Sequence, residues 1–163
     1  MLYCKKYKID NKNFFIVCSE DKLVYVGVNE KNFEQYRIKY FSSKVILENM
    51  EKTVYYANQL EDYFFGKRKV FEFDIFDVGT TFQKEVWQAI SSIKFGEVVT
   101  YKSIAEKINK PKAIRAVATA IAKNPLLIFI PCHRVIGTDG ALHGYSAGLE
   151  MKRNLLVLEK KLA

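Results

Sequence analysis

Cys132 and His133 stand side by side, directly after Pro131 and before Arg134, inside an otherwise apolar stretch that reads Ile-Phe-Ile-Pro-Cys-His-Arg-Val-Ile from Ile128 to Ile136. A thiol reacts as its thiolate, and a free thiol with a pKa near ~8.5 is mostly protonated at neutral pH. An adjacent imidazole that takes the proton, directly or through water, is the simplest way to make such a thiol a nucleophile, and a carboxylate behind the ring would hold the useful tautomer. Neighbouring residues on a strand point to opposite faces, so the pair works only if Pro131 places it in a turn or a water bridges it. Proline removes a backbone donor, which fits a bend at the end of an apolar strand over 128–130. A cysteine phosphatase would need an arginine six residues after the nucleophile, and Thr138 stands there. A papain-like site would need a cysteine at the start of a helix and a distant histidine, and the chain presents neither.

The elements that must position this corner follow from periodicity. The N-terminal third alternates like a β-meander, with strands predicted at Leu2–Ile9, Phe14–Cys18 and Leu23–Val28, divided by Asp10-Asn11-Lys12-Asn13 and Ser19-Glu20-Asp21. Ile46, Met50, Val54, Ala57, Leu60 and Phe64 recur at helical spacing up to Gly66, and Phe71–Ile75 reads as a further strand. Cys4 and Cys18 fall in strand-like runs and read as packing residues. After Asp77-Val78-Gly79 the pattern turns helical: Thr80 or Thr81 caps a helix carrying Phe82, Val86 and Ile90 that ends by Lys94-Phe95-Gly96. Two short helices follow, one from Tyr101 with Ile104, Ala105 and Ile108 on its apolar stripe. The other runs from about Pro111 to Ala122, with Ile114, Val117, Ala118 and Ile121 inward and Lys112 and Arg115 on the remaining face. That outline is a helix-turn-helix, although ordinary helical hairpins look similar. Asn124-Pro125 breaks the second helix, Thr138-Asp139-Gly140 forms a turn consistent with a β-wing, and Gly144 to Gly148 is a small-residue loop. A last helix carries Met151, Leu155, Leu158 and Leu162, with Glu159 at the edge of that stripe. The sequence therefore predicts an α+β protein, with a scaffold domain over 1–76 and a helical domain holding the reactive corner over 77–163.

Charge is unevenly spread. The 163 residues carry 26 Lys plus Arg and 18 Asp plus Glu, a net of +8. Residues 1–76 hold 13 basic and 11 acidic side chains against 13 and 7 in residues 77–163, so a polyanion should prefer the C-terminal half. Three cysteines and no recognisable secretory leader lead to the expectation of a reducing, cytoplasmic compartment (or the nucleus in a cell that has one). No apolar run approaches the ~18 residues of a membrane span. His133 and His143 share no common zinc-ligand spacing with the cysteines, so no metal is expected.

Pro131-Cys132-His133-Arg134-Val135, together with Tyr101, Ile114-Arg115-Ala116-Val117, Asn124-Pro125 and Gly144-Tyr145-Ser146-Ala147-Gly148-Leu149, closely resembles the O6-alkylguanine-DNA alkyltransferases in order and spacing, from about Phe82 to Glu159. The N-terminal part is similar only in general organisation. The resemblance implies a ribonuclease H-like N-terminal domain packed on a winged helix-turn-helix domain, no cofactor, and a monomer. It implies that Cys132 takes the alkyl group from O6-alkylguanine, with O4-alkylthymine as a second candidate substrate, in double-stranded DNA, once and irreversibly. It further implies a Cys132–water–His133–Glu159 relay, Asn124 bracing the nucleophile's turn, and Tyr101 hydrogen-bonding the departing guanine. Arg115 would fill the space of a flipped nucleotide from a helix in the minor groove, with Lys112 and the small Ala116 also on the DNA side. Backbone groups around Val135 and Ser146, with Tyr145 beside them, would line the base pocket. Leu127 and Ala147 depart from better-known members, and the expectation is a narrower pocket. Two rival readings remain open to test: a lesion-binding relative that lacks transfer, disfavoured by the intact Cys132, and a winged-helix transcriptional regulator.

Overall fold

The computed structural model describes all residues from Met1 to Ala163, and the chain divides into two compact units, Met1–Val78 and Gly79–Ala163. The first unit begins with a hairpin of β1 (Leu2–Ile9) and β2 (Lys12–Cys18). Its turn is shorter than the sequence suggests. Asp10 and Asn11 both take positive φ, 51° and 58°, the two-residue geometry whose twist matches that of the flanking strands. β3 (Leu23–Gly27) pairs antiparallel with β2, and β4 (Ile46–Glu48) pairs parallel with β1, giving the order β3-β2-β1-β4.

Two helices cover this sheet on opposite faces. Phe14 and Phe15 are neighbours on β2 and so point oppositely. Phe14 meets Phe64 of α2 (Met50–Phe64) at 5.8 Å, whereas Phe15 meets Phe33 of α1 (Glu30–Phe41) at 5.8 Å. α1 is an element the apolar pattern does not announce, because only Phe41 on it is fully buried. Ile46, expected to begin the helix that stops at Gly66, is instead on β4, and Asn49 caps α2 through the Lys52 amide. The predicted strand at Phe71–Ile75 is reduced to a single bridge between Leu23 and Ile75. The buried Gln59 amide takes the place of a neighbouring strand for that segment, donating to Glu72 O and accepting from Glu72 N.

The second unit opens with α3 (Thr81–Ser91), capped by Thr80 in a reciprocal pair with Gln83. Trp87 on α3 donates its indole N–H to Ala120 O at 2.9 Å, which ties α3 to α5 (Ile114–Ala122). Gly79, at φ 91°, makes room for that ring, since a β-carbon there would stand 2.7 Å from it. β5 (Val99–Thr100) leads into α4 (Tyr101–Lys107), which Thr100 caps. α4 ends on Asn109 at φ 60°, with Lys110 N bonded back to Ala105 O, a left-handed C-terminal cap. Pro111 does not open α5 as expected. Ala113 N bonds to Lys110 O, so Pro111 sits second in a β-turn, where its fixed φ is favoured, and α5 starts at Ile114. Lys112 lies in that turn and not on the helix.

The apolar strand expected over 128–130 does not form. Leu126 to Ile130 is a buried turn held by one Leu127–Ile130 bridge, with Ile128 at φ 71°. β6 (Val135–Ile136) pairs parallel with β5, and Gly137 to Ala141 makes the expected turn without a returning strand. α6 (Leu149–Leu162) buries Met151, Lys152, Leu155 and Glu159. Glu159 is thus on the inward stripe at four-residue steps from Met151 and Leu155, while Leu158 is only half-buried.

Thr80→Ala removes one half of the α3 capping box. It should destabilise the second unit by about 1 kcal/mol, read as a lower denaturant midpoint with an unchanged slope.

Candidate active site

Asn124 follows directly on the end of α5, and its side chain builds the corner. Nδ2 donates to Ile130 O at 2.8 Å and to Cys132 Sγ at 3.1 Å, while Oδ1 accepts from Leu126 N at 2.9 Å. Pro131 lies at φ −81°, ψ 62°, and Cys132 N bonds to Ile130 O at 2.8 Å, an inverse γ-turn. Cys132 to Arg134 then wind as one 3₁₀ turn. That turn removes the strand objection: successive side chains step by about 120° instead of alternating.

Cys132 is almost fully buried, and burial pushes its thiol up to about 11, against the opposing pull of the Asn124 hydrogen bond and the Lys152 charge. The resting group is a thiol. His133 is fully buried, with Nε2 2.6 Å from Glu159 Oε2. Its Nδ1 is buried without a protein hydrogen-bond partner. Burial, then the Arg134 and Lys152 charges, hold His133 below the usual histidine range despite the Glu159 carboxylate. Burial alone would raise Glu159, but hydrogen bonds from His133 and Arg134 bring it below the usual carboxylate range.

Two charged residues that sequence reasoning passed over belong to this cluster. Arg134 Nε donates to Glu159 Oε1 at 2.5 Å and its Nη1 to Ile93 O at 2.6 Å. Lys152, 1% exposed, donates to His143 O at 3.0 Å and places its ammonium 5.8 Å from the Tyr101 ring centre. Its position seven residues before Glu159 on α6, two turns along the same face, was the available signal.

Tyr101 is half-buried, and burial followed by Cys132 raises its phenol, which keeps it a donor at neutral pH. It lines an open cleft of about 990 Å³ together with Ile114, Arg115, Thr138, Tyr145 and Ser146. That is at the upper end of the volumes of small-molecule pockets. Arg115, Ala116 and Lys112 are exposed, and they share a shallower depression with Phe82 and Thr119. Val135 is fully buried in β6 and its side chain is not part of the cleft wall. Leu127 and Ala147 do not line this cleft either. The side chain that stands beside Tyr101 is His143, with ring centres 6.2 Å apart.

Fold and site present one buried thiol, bonded by Asn124, in a unit that also holds a short helical hairpin and an open cleft. The family model of the DNA-binding domain of 6-O-methylguanine DNA methyltransferase matches residues 81–161. The inducible methylated-DNA–protein-cysteine methyltransferase of Bacillus subtilis is 42% identical, over 98% of this chain and 91% of that relative. The crystal structure of the Mycobacterium tuberculosis O6-methylguanine methyltransferase superposes with a TM-score of 0.88 at 33% identity, covering 100% of this chain and 95% of the other. The M. tuberculosis OGT in complex with DNA gives 0.84 at 33% identity over 99% and 94%. The chain belongs to the methylated-DNA–protein-cysteine methyltransferase family.

The buried pair sets a pH dependence of stability. His133 is held below its unfolded value, so the unfolded chain binds the proton more readily and stability falls as pH drops below about 6.5. Glu159 is also depressed; its contribution is present above about 4.3 and is lost as pH falls further. Melting temperature should therefore decline on acidification in two stages, and His133→Gln should flatten the first.

Proposed function

We propose that this protein repairs O6-alkylguanine in duplex DNA by transferring the alkyl group irreversibly to Cys132. The observation that carries the reading is the thiol held by Asn124 next to the His133–Glu159 pair. The thiol proton passes through a bridging water to His133 Nδ1, the buried nitrogen with no protein partner, while Nε2 faces Glu159. Sulfur attacks the alkyl carbon, the carbon–O6 bond breaks, and its electron pair leaves with guanine. The Tyr101 hydroxyl hydrogen-bonds the purine as that charge develops. The product is a thioether, which offers no route back to the thiol, so each molecule acts once and needs no cofactor.

The lesion lies within the base stack, and turning it out costs a few kcal/mol. The cleft beside Tyr101 would receive the nucleotide, and Arg115 on α5 would occupy the space it leaves. α4 and α5 would serve as a helix-turn-helix with a shortened wing, and α5 would enter the minor groove, where its exposed Ala116 permits close approach and Lys112 meets phosphate. The excess of basic residues in 77–163 supports this side as the DNA face, as does the relative crystallised with DNA. Tyr145 and Ser146, and the backbone near Val135, would hold the base. Residues 1–76 would be a ribonuclease H-like scaffold, and the protein would act as a monomer. A reducing compartment such as the cytoplasm suits a thiol that must stay free; no helix is long and apolar enough to cross a membrane.

Incubation with duplex DNA carrying O6-methylguanine should raise the intact mass by one methylene unit, and Cys132→Ala should abolish the gain. Tight lesion binding without a mass change would instead identify a binding module. Arg115→Ala should slow repair in duplex DNA by about 10- to 100-fold, the equivalent of ~1.4 to 2.8 kcal/mol of lost flipping, while leaving reaction with a free alkylated base nearly unchanged. Equal loss on both substrates would remove Arg115 from the flipping step.

A further inference from the structure

We propose that Arg134 is a positioning residue that sets the tautomer of His133 by keeping Glu159 an anion. The inference rests on the reading of His133 as the base. Glu159 is 1% exposed, and a carboxyl group this deep, without a cation, tends to take up a proton. Arg134 meets it through Nε, at 2.5 Å to Oε1 and 3.3 Å to Oε2. The guanidinium is itself fixed: Nη1 donates to Ile93 O at 2.6 Å, just beyond the end of α3, and its carbon lies 5.7 Å from the Phe95 ring centre. A guanidinium cannot give up its charge at any pH the protein meets.

The consequence reaches the thiol through hydrogen-bond logic. An ionised carboxylate only accepts, so the nitrogen facing it must carry the hydrogen. Glu159 faces His133 Nε2 at 2.6 Å, which leaves Nδ1 bare. Nδ1 is the nitrogen with no protein partner and the one that must accept the Cys132 proton. A protonated Glu159 would become a donor, place the hydrogen on Nδ1 and block the base. The other charged or titratable groups around His133 are Cys132 and Arg134 on its own turn and Lys152 on α6. Lys152 donates to His143 O, and Arg134 is a cation bonded to the carboxylate.

The test is tautomer-resolved NMR of protein carrying ¹⁵N-labelled histidine near neutral pH, with His143→Gln used to assign the two rings. The wild-type His133 should carry its hydrogen on Nε2; a hydrogen on Nδ1 overturns the proposal, and this reading needs no Arg134 variant to fold. Arg134→Met should move the hydrogen to Nδ1 and slow alkyl uptake by about 100-fold or more, the scale of a lost general base. Arg134→Lys should restore the Nε2 form. An unchanged tautomer in folded Arg134→Met overturns the proposal. In a Glu159→Gln background, where no carboxylate remains to protonate, Arg134→Met should change the rate by less than about threefold; a purely structural arginine would cost as much there as in the wild type. A wild-type Nε2 tautomer in a protein that takes up no alkyl group would remove the proposed function and leave the role of Arg134 standing.

Discussion

The side-chain amide of Asn124 is the constraint on which the site depends. Residues 126–130 are apolar and buried, yet they do not form a strand, so their backbone groups lack a sheet to pair with. Asn124 supplies those bonds, accepting from Leu126 N and donating to Ile130 O. Leu126 N left unpaired would cost about 1–3 kcal/mol, whereas Ile130 O also accepts from Cys132 N. The turn also holds a β-branched residue, Ile128, at φ 71°, a conformation worth about 1–3 kcal/mol of strain that only a well-determined surrounding sustains. The same amide nitrogen lies 3.1 Å from Cys132 Sγ. The bonds that make the turn possible therefore also fix the thiol and favour its ionised form.

How much of this was legible depends on which physical signal each residue carries. Cys132 and His133 could be marked from their types and adjacency, whereas Asn124 and Tyr101 were marked only through the resemblance to the alkyltransferases. The shape of the corner could not, because a short apolar run before a proline fits a strand and a buried turn equally well. α1 was missed for a related reason: its aromatic residues pack sideways around Tyr25, with Phe33 and Tyr36 at 5.3 and 5.0 Å, and leave no clean inward stripe. Pro111 was read as a first helical residue, whereas the left-handed Asn109 had already turned the chain and placed the proline in a β-turn.

Arg134 and Lys152 escape a reading by residue type because both are charged. Composition predicts that charged side chains face water, and that expectation is sound for most of the 44 Lys, Arg, Asp and Glu residues here. It fails where charges are buried together. Glu159 turns inward from the edge of the α6 stripe because His133 and Arg134 are there to meet it, and Arg134 turns inward because Glu159 is. Neither burial can be inferred from one member alone; the signal lies in a separation of 25 residues that only the fold closes.

The buried charges also bear on why the thiol is poised for a single event. At rest Cys132 is protonated and His133 neutral, Glu159 is bonded by Arg134, and Lys152, which burial holds below the usual lysine range, is the second cationic group. Lys152 is 1% exposed and pairs with a carbonyl, not a carboxylate, so one positive charge lacks an anionic partner. Burial opposes ionisation of Cys132, but the uncompensated Lys152 works the other way, and a thiolate would balance the cluster. Ionisation is therefore costly in the closed site and favourable in its local field, a combination that holds the thiol inert until its proton has somewhere to go. In the proposed reaction the thioether formed at this position would carry no charge, and the balance could not be reached again.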